Sequence, residues 1–142
     1  MILYIFLLIY LVNIIIIIIH ELAHYIVAKI LWNEVEEIVI GSRILSIKLY
    51  KVSLSPIIFG GRVDVKWNKV ANSNIYQIIL FFLSGVFANF ITLIICWLYI
   101  KSIYGNLYII LSGFTIVINS IPIYNTDMSI LLKVIKKLKK YK

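Results

Sequence analysis

The chain has 142 residues, 63% of them hydrophobic and 14% charged, against about 45–50% apolar and about 25% charged in an ordinary soluble domain. That balance excludes a disordered chain, a disulfide-stapled secreted module and a free-standing soluble enzyme, and leaves a small one-domain integral membrane protein. The formal charge of +8 gathers in two groups, seven basic residues from Lys29 to Lys69 and six lysines from Lys133 to Lys142. Each group flanks apolar sequence, which points to membrane orientation and to anionic lipid near the basic tail, with no nucleic-acid partner.

The first element covers about residues 1–31 and is apolar almost throughout, MILYIFLLIYLVNIIIIII followed by HELAHYIVA. It exceeds the about 20 helical residues that a bilayer core requires. It has neither the basic leader nor the small-residue cleavage site of a signal peptide, so it is expected to remain as a membrane helix. Isoleucine is a mediocre helix former in water, but a lone span in lipid satisfies its backbone only as a helix.

This helix contains both histidines of the chain. His20, Glu21 and His24 form HELAH, an HExxH motif. One-turn spacing places both imidazoles on one helical face. In zinc enzymes the two histidines are ligands, and the glutamate stays off the metal and takes the proton of the attacking water. With two histidines and four glutamates in this composition, chance produces the arrangement on the order of 1 time in 2,500. An ionisable residue inside a span is also costly and a functional candidate by default. The rival reading is a near-interface histidine pair with a snorkelling glutamate, or part of a proton path.

Residues from about 33 to 69 change character. VEEIVIGS, ILSIKLYKVSL and GRVDVKW are short alternating or β-branched stretches broken by Gly41, Pro56 and the Gly60–Gly61 pair, a pattern of strands and turns. Strands with open edges do not lie in hydrocarbon, so this insertion is expected at the cytoplasmic interface or shielded by helices. Trp32, Trp67 and Tyr50 suit an interfacial belt. A plain loop with an amphipathic hairpin is the simpler alternative.

A second span is expected at about 75–100 and a third at about 107–123, the latter disturbed by Pro122. KSIYGN, with Gly105, reads as the tight loop between these antiparallel neighbours. A basic cytoplasmic tail follows at 128–142. Three spans put the basic insertion and the lysine tail on one side. The positive-inside bias then places the N-terminus outside and the tail in the cytoplasm.

Zinc takes a third protein ligand and keeps an open position. At 1.5 Å per residue His24 lies about 8 Å, and His20 about 14 Å, from Lys29 along the helix. Asp127, just after the third span and six residues before Lys133, matches that depth. Cys96 falls toward the opposite end of the second span. Gly85 and Asn89 share a face in SGVFAN. Gly85 permits close helix approach and Asn89 offers hydrogen bonds to a partner, ligand or substrate backbone. Ordinary packing for Gly85, and structural interhelical bonds for Asn89 and Asn119, are the alternatives. Pro122 frees a helical carbonyl and bends the chain, which can turn Asp127 toward a metal. Ser84, Ser112 and Ser120 read as packing residues, since a serine mechanism has no evident base here.

HELAH, SGVFAN and NSIPIYNTD, in this order, resemble the site-2 protease family of intramembrane zinc metalloproteases, peptidase family M50. The likeness extends over nearly the whole chain and includes the strand-rich insertion, where PIIFGG resembles a family glycine pair. It implies an α-helical integral membrane protein, one metalloprotease core over 1–142 with three transmembrane helices and a small strand-containing insertion between the first two. It further implies a zinc-dependent endopeptidase cutting in or near transmembrane segments. Zn2+ would be held by His20, His24 and Asp127, with Glu21 as catalytic base. Asn89 and Asn119 would position substrate or transition state, and Gly85 and Pro122 would lend structural support. Val86 and Met128 depart from the family's glycine-proline and aspartate-glycine pairs, marking a divergent, minimal member. The chain offers no room for a PDZ or CBS domain, so selectivity is expected from the core or from partners, and a membrane partner or homo-oligomer is expected as a partner. A prokaryotic cell membrane is the expected location. The functional alternatives are a non-proteolytic metal-binding scaffold that recognises transmembrane segments, and a small transporter or metal-permeation subunit.

Overall fold

The computed structural model describes residues 2–42, 46–58, 60–123 and 125–140. Ile44 and Leu45 of ILSIKLYKVSL, Phe59 of PIIFGG, Tyr124 of NSIPIYNTD and Tyr141–Lys142 of the tail lie outside the described residues.

Helix α1 (Ile2–Trp32) buries Val12, Ile16, Ile17, His20, Glu21, His24, Ala28 and Trp32, a stripe spaced by three and four residues. Ile15, Ile18, Ile26 and Ile30 remain on the outer surface. The helix stops where Asn33 takes φ +52° and returns its N–H to the Lys29 carbonyl, a left-handed cap that asparagine tolerates. The next elements form a four-stranded sheet. Strands β1 (Glu37–Ile40), β2 (Ile47–Leu49), β3 (Val52–Leu54) and β4 (Gly61–Asp64) lie in the order β2-β3-β1-β4. β1 runs parallel to β3 and antiparallel to β4, with Val39 opposite Arg62. β4 is therefore an edge strand, and it lies against α1.

The short helix α2 (Trp67–Ala71) leads to α3 (Ile75–Tyr99). A capping box opens α3: Asn74 Oδ1 accepts from the Tyr76 N–H at 3.3 Å, and Gln77 Oε1 accepts from the Asn74 N–H at 3.0 Å. Helix α4 (Ile103–Ser120) follows, then α5 (Asp127–Lys140). α1, α3 and α4 are long and apolar enough to cross a membrane, and the sheet falls between the first two of them.

α3 packs against both α1 and α4. Trp32 donates to Ser73 Oγ at 2.6 Å at one end of the bundle, and the Tyr4 and Tyr104 hydroxyls meet at 3.4 Å at the other. Two apolar clusters bracket the middle. One joins Ala28, Trp32, Ile78, Phe81 and Leu131, and the other joins Val12, Ile16 and Tyr108.

Four details differ from the sequence reading. α4 begins at Ile103 and ends at Ser120, instead of running over 107–123. Ser102 Oγ caps its start by accepting from the Gly105 N–H at 3.3 Å, so Gly105 belongs to the helix, where its missing side chain leaves room for the Ile100 carbonyl. Residues 128–140 form an amphipathic helix packed on the core, not a tail. Leu131 is buried, Met128, Val134, Ile135 and Leu138 pack beside it, and Lys133, Lys136 and Lys137 stay exposed. Trp32 sits in the core instead of an outer belt, because its indole N–H has Ser73 as an internal partner. Trp67 is 39% exposed and lies under the Lys137 ammonium at 3.9 Å, a cation–π contact.

The insertion also reaches farther along α1 than an interfacial loop would. The Tyr10 hydroxyl donates to the Pro56 carbonyl and accepts from the Ile58 N–H at 3.4 Å. Tyr10 precedes His20 by ten residues, about 15 Å of helix. Pro56 and Ile58 are thus held beside the apolar half of α1.

Candidate metal centre

Three side chains converge between the two apolar clusters. His20 Nε2 lies 2.8 Å from Asp127 Oδ2, His24 Nε2 lies 3.4 Å from the same oxygen, and the two Nε2 atoms are 3.2 Å apart. Both imidazoles are buried. Among the described residues this is the one group of three or more His, Cys, Asp or Glu side chains whose donor atoms could hold a metal.

The local sequence explains the convergence. His20 and His24 are one turn apart on the buried stripe of α1. Asp127 arrives from the other end of the chain because α4 cannot continue through Pro122. Ile121 is extended (φ −95°, ψ 137°), as a residue before proline prefers. Asn125 then turns through φ +63°. Thr126 restarts the helix: its Oγ1 accepts from the Ser129 N–H at 3.4 Å and is within donating distance of the Ile121 and Ile123 carbonyls at 2.7 and 2.8 Å. Asp127 thereby becomes the first residue of α5, where a carboxylate also suits the helix dipole.

The far sides of both rings are held. His24 Nδ1 donates to the Phe81 carbonyl at 2.7 Å and lies 3.0 Å from Ser84 Oγ, which itself donates to that carbonyl. Such a bond keeps the proton on Nδ1 and leaves the Nε2 lone pair directed inward. His20 Nδ1 lies 3.3 Å from the Asn89 side-chain amide. Asn89 is fully buried, and its Oδ1 has no hydrogen-bond partner among the described residues. With the amide turned over, Oδ1 accepts the Nδ1 proton of His20, and His20 Nε2 is free as a ligand.

The space fits a cation. A Cβ on Gly85 would fall 2.5 Å from His20 Nε2 and 2.6 Å from His24 Nε2, so the α3 backbone forms a wall that only glycine leaves open. Zinc bonds of about 2.0–2.2 Å in a tetrahedron separate the donors by about 3.3–3.5 Å, close to two of the three separations here. Two neutral imidazoles and a carboxylate are also a donor set that zinc accepts. Glu21 is outside the ligand group. It is 5% exposed, lines the same cavity as these three side chains, and its Oε2 has no hydrogen-bond partner among the described residues. A Cβ on Gly61 would fall 2.5 Å from Glu21 Cγ, so β4 closes directly over this side chain.

The cavity has a volume of about 560 Å3 and is walled by α1, β4, α2, α3, α4 and α5. Asn119 lines it, while Asn89 does not: it lies behind His20 and supports the ring from the side away from the cavity. Pro122 lies in the extended link before α5. Cys96 packs in the distant apolar cluster with Ile16 and Tyr108. The part of Ser84 in holding His24 is not visible in sequence spacing, because it runs through the Phe81 carbonyl. Away from the centre, hydrogen bonding and charge from Lys66, with help from Lys69, hold the Glu34 carboxyl below its usual range and tie α2 to the residues after α1.

The family model described as Peptidase family M50 matches residues 6–142, nearly the whole chain. No curated protein matches the sequence.

Proposed function

The chain belongs to peptidase family M50, and from that premise we propose that it is a zinc-dependent intramembrane endopeptidase that hydrolyses peptide bonds in or near transmembrane segments. The observation that carries this reading is the meeting of His20, His24 and Asp127 through Nε2, Nε2 and Oδ2, beside the buried Glu21, in a cavity between apolar helices.

His20, His24 and Asp127 hold the metal, which when bound supplies Lewis-acid activation of water and of the attacked carbonyl. Glu21 does the proton work. It is buried, has an unpartnered oxygen and borders the ligands, so it takes the proton of the attacking water and delivers it to the leaving amine. β4 shapes access. A transmembrane helix hides its carbonyls in its own hydrogen bonds, so the substrate must unwind locally before attack. An extended segment paired along the free edge of β4 recovers backbone bonds while it passes Glu21 at Gly61. Asn119, half-buried and lining the cavity, is placed to bond that segment.

The basic residues at the Trp32 end put that end in the cytoplasm, with Ile2 toward the outside. The exposed Lys133, Lys136 and Lys137 of α5 then meet anionic headgroups.

Purified protein with one bound zinc should cleave a model transmembrane substrate. Glu21→Gln should retain the zinc and lose at least about 100-fold in rate. Undiminished cleavage by Glu21→Gln, or a protein that takes up no zinc, overturns the reading.

A further inference from the structure

The cavity carries an amide that this mechanism does not use. Asn13 lies two turns before His20 on the same face of α1, about 10 Å along the axis. It is half-buried and lines the cavity together with Thr115 and Asn119 of α4. A polar side chain in the apolar half of a span usually bonds a neighbouring helix. Asn13 makes no hydrogen bond to any described residue, and neither does the Asn119 side chain; Thr115 Oγ1 bonds within its own helix, to the Leu111 carbonyl at 2.9 Å. Helix packing therefore does not account for Asn13. What its position offers is a hydrogen-bonding group facing the space in which a substrate would lie.

We propose that Asn13 is a specificity-determining residue that receives a hydrogen-bonding substrate side chain, such as Gln, Asn, Ser or Thr, about three residues from the scissile bond toward the Ile2 end of the bundle. This rests on the proteolytic reading above. The offset follows from geometry: about 10 Å of α1 corresponds to about three residues of extended chain at about 3.3 Å each. The selectivity follows from desolvation. A substrate segment filling the cavity displaces water from the Asn13 amide. A leucine then leaves that amide buried and unpaired, whereas a glutamine pairs with it, and sites built on such bonds discriminate strongly against partners that lack the group.

The test uses the full chain, zinc-loaded, in lipid nanodiscs. The probes are leucine-rich transmembrane peptides carrying one glutamine that is moved a residue at a time, with cleavage sites read by mass spectrometry. The cut should move with the glutamine at a constant offset of about three residues. In Asn13→Leu the cut should cease to follow it, with zinc content unchanged, and Asn13→Gln should restore the dependence. Binding supplies an independent readout. The Glu21→Gln variant should bind a glutamine peptide about tenfold more tightly than its all-leucine counterpart, and Glu21→Gln with Asn13→Leu should bind both alike. A cut that ignores the glutamine, or follows it equally in Asn13→Leu, overturns the inference while leaving the protease reading intact. If no peptide is cut by the unsubstituted protein, the protease reading falls and this inference with it.

Discussion

The α-carbon of Gly85 stands against His20: a methyl group there would fall 2.5 Å from His20 Nε2, and 2.6 Å from His24 Nε2. The glycine on α3 is thus the wall of the donor cluster on α1, more than a point of close helix approach. Gly85→Ala gains about 1 kcal/mol of helix propensity, so α3 is expected to persist, while both Nε2 atoms must move off their positions. The expected result is intact helicity by circular dichroism and zinc affinity lowered at least about tenfold in a chelator competition, since ligand geometry is displaced.

Asn89 acts on the same donors from behind. Asn89→Ala removes the amide without adding bulk to this fully buried position and leaves His20 Nδ1 without its polar neighbour. Partners that orient a ligating histidine are worth about 10- to 100-fold in metal affinity, and a loss in that range is expected here by zinc titration. A direct substrate-binding role alone would instead raise KM and spare zinc affinity.

The legible parts of this molecule are those governed by short periods. HELAH places two imidazoles on one face by spacing alone, and chain depth brought Asp127 to the same level as His20. Long-range partners were hidden. Asn89 was visible as a polar residue on a helix face, but nothing in SGVFAN says which neighbour that face meets. The Tyr10 contact with Pro56 joins residues 46 positions apart, one of them an ordinary tyrosine in an apolar run. α5 is written in the sequence, since Met128, Leu131, Ile135 and Leu138 repeat at three and four residues, but the density of lysines over 133–142 masks that period. Gly105 reads as a loop residue because glycine signals a loop more often than room for a carbonyl inside a helix start.

The glycine pair at the start of β4 separates two roles. A Cβ on Gly60 meets nothing within 4 Å, whereas one on Gly61 falls 2.5 Å from Glu21 Cγ. Gly60→Ala should therefore cleave a model substrate within about twofold of the parent. Gly61→Ala should lose at least about tenfold in rate by displacing Glu21, the proposed proton carrier, with zinc content unchanged. Equal activity of the two variants would argue that β4 does not press on Glu21 during turnover.

The Tyr10 hydroxyl tests how deep the insertion sits. Tyr10→Phe removes the partner of the Pro56 carbonyl and the Ile58 N–H. Leaving such groups unpaired away from water costs about 1–3 kcal/mol. The expected outcome is a loss of that order in reversible denaturation and faster hydrogen exchange at the Ile58 amide. Unchanged exchange would show that these backbone groups find water, and that the turn lies outside the hydrocarbon.

Thr126 ties the restart of the chain to Asp127, the proposed metal ligand beside it. Thr126→Val preserves shape but deletes the hydroxyl that reaches the Ile121 and Ile123 carbonyls and caps the Ser129 N–H. Loss of an N-cap costs about 1 kcal/mol, and here the cost falls on the turn that presents Asp127 to the histidines. Zinc affinity should drop with stability, while Ser120→Ala, whose hydroxyl is exposed and bonds only the Ile116 carbonyl of its own helix, should leave both within error. If Thr126→Val binds zinc as tightly as the parent, Asp127 is held by the metal itself and the cap serves folding alone.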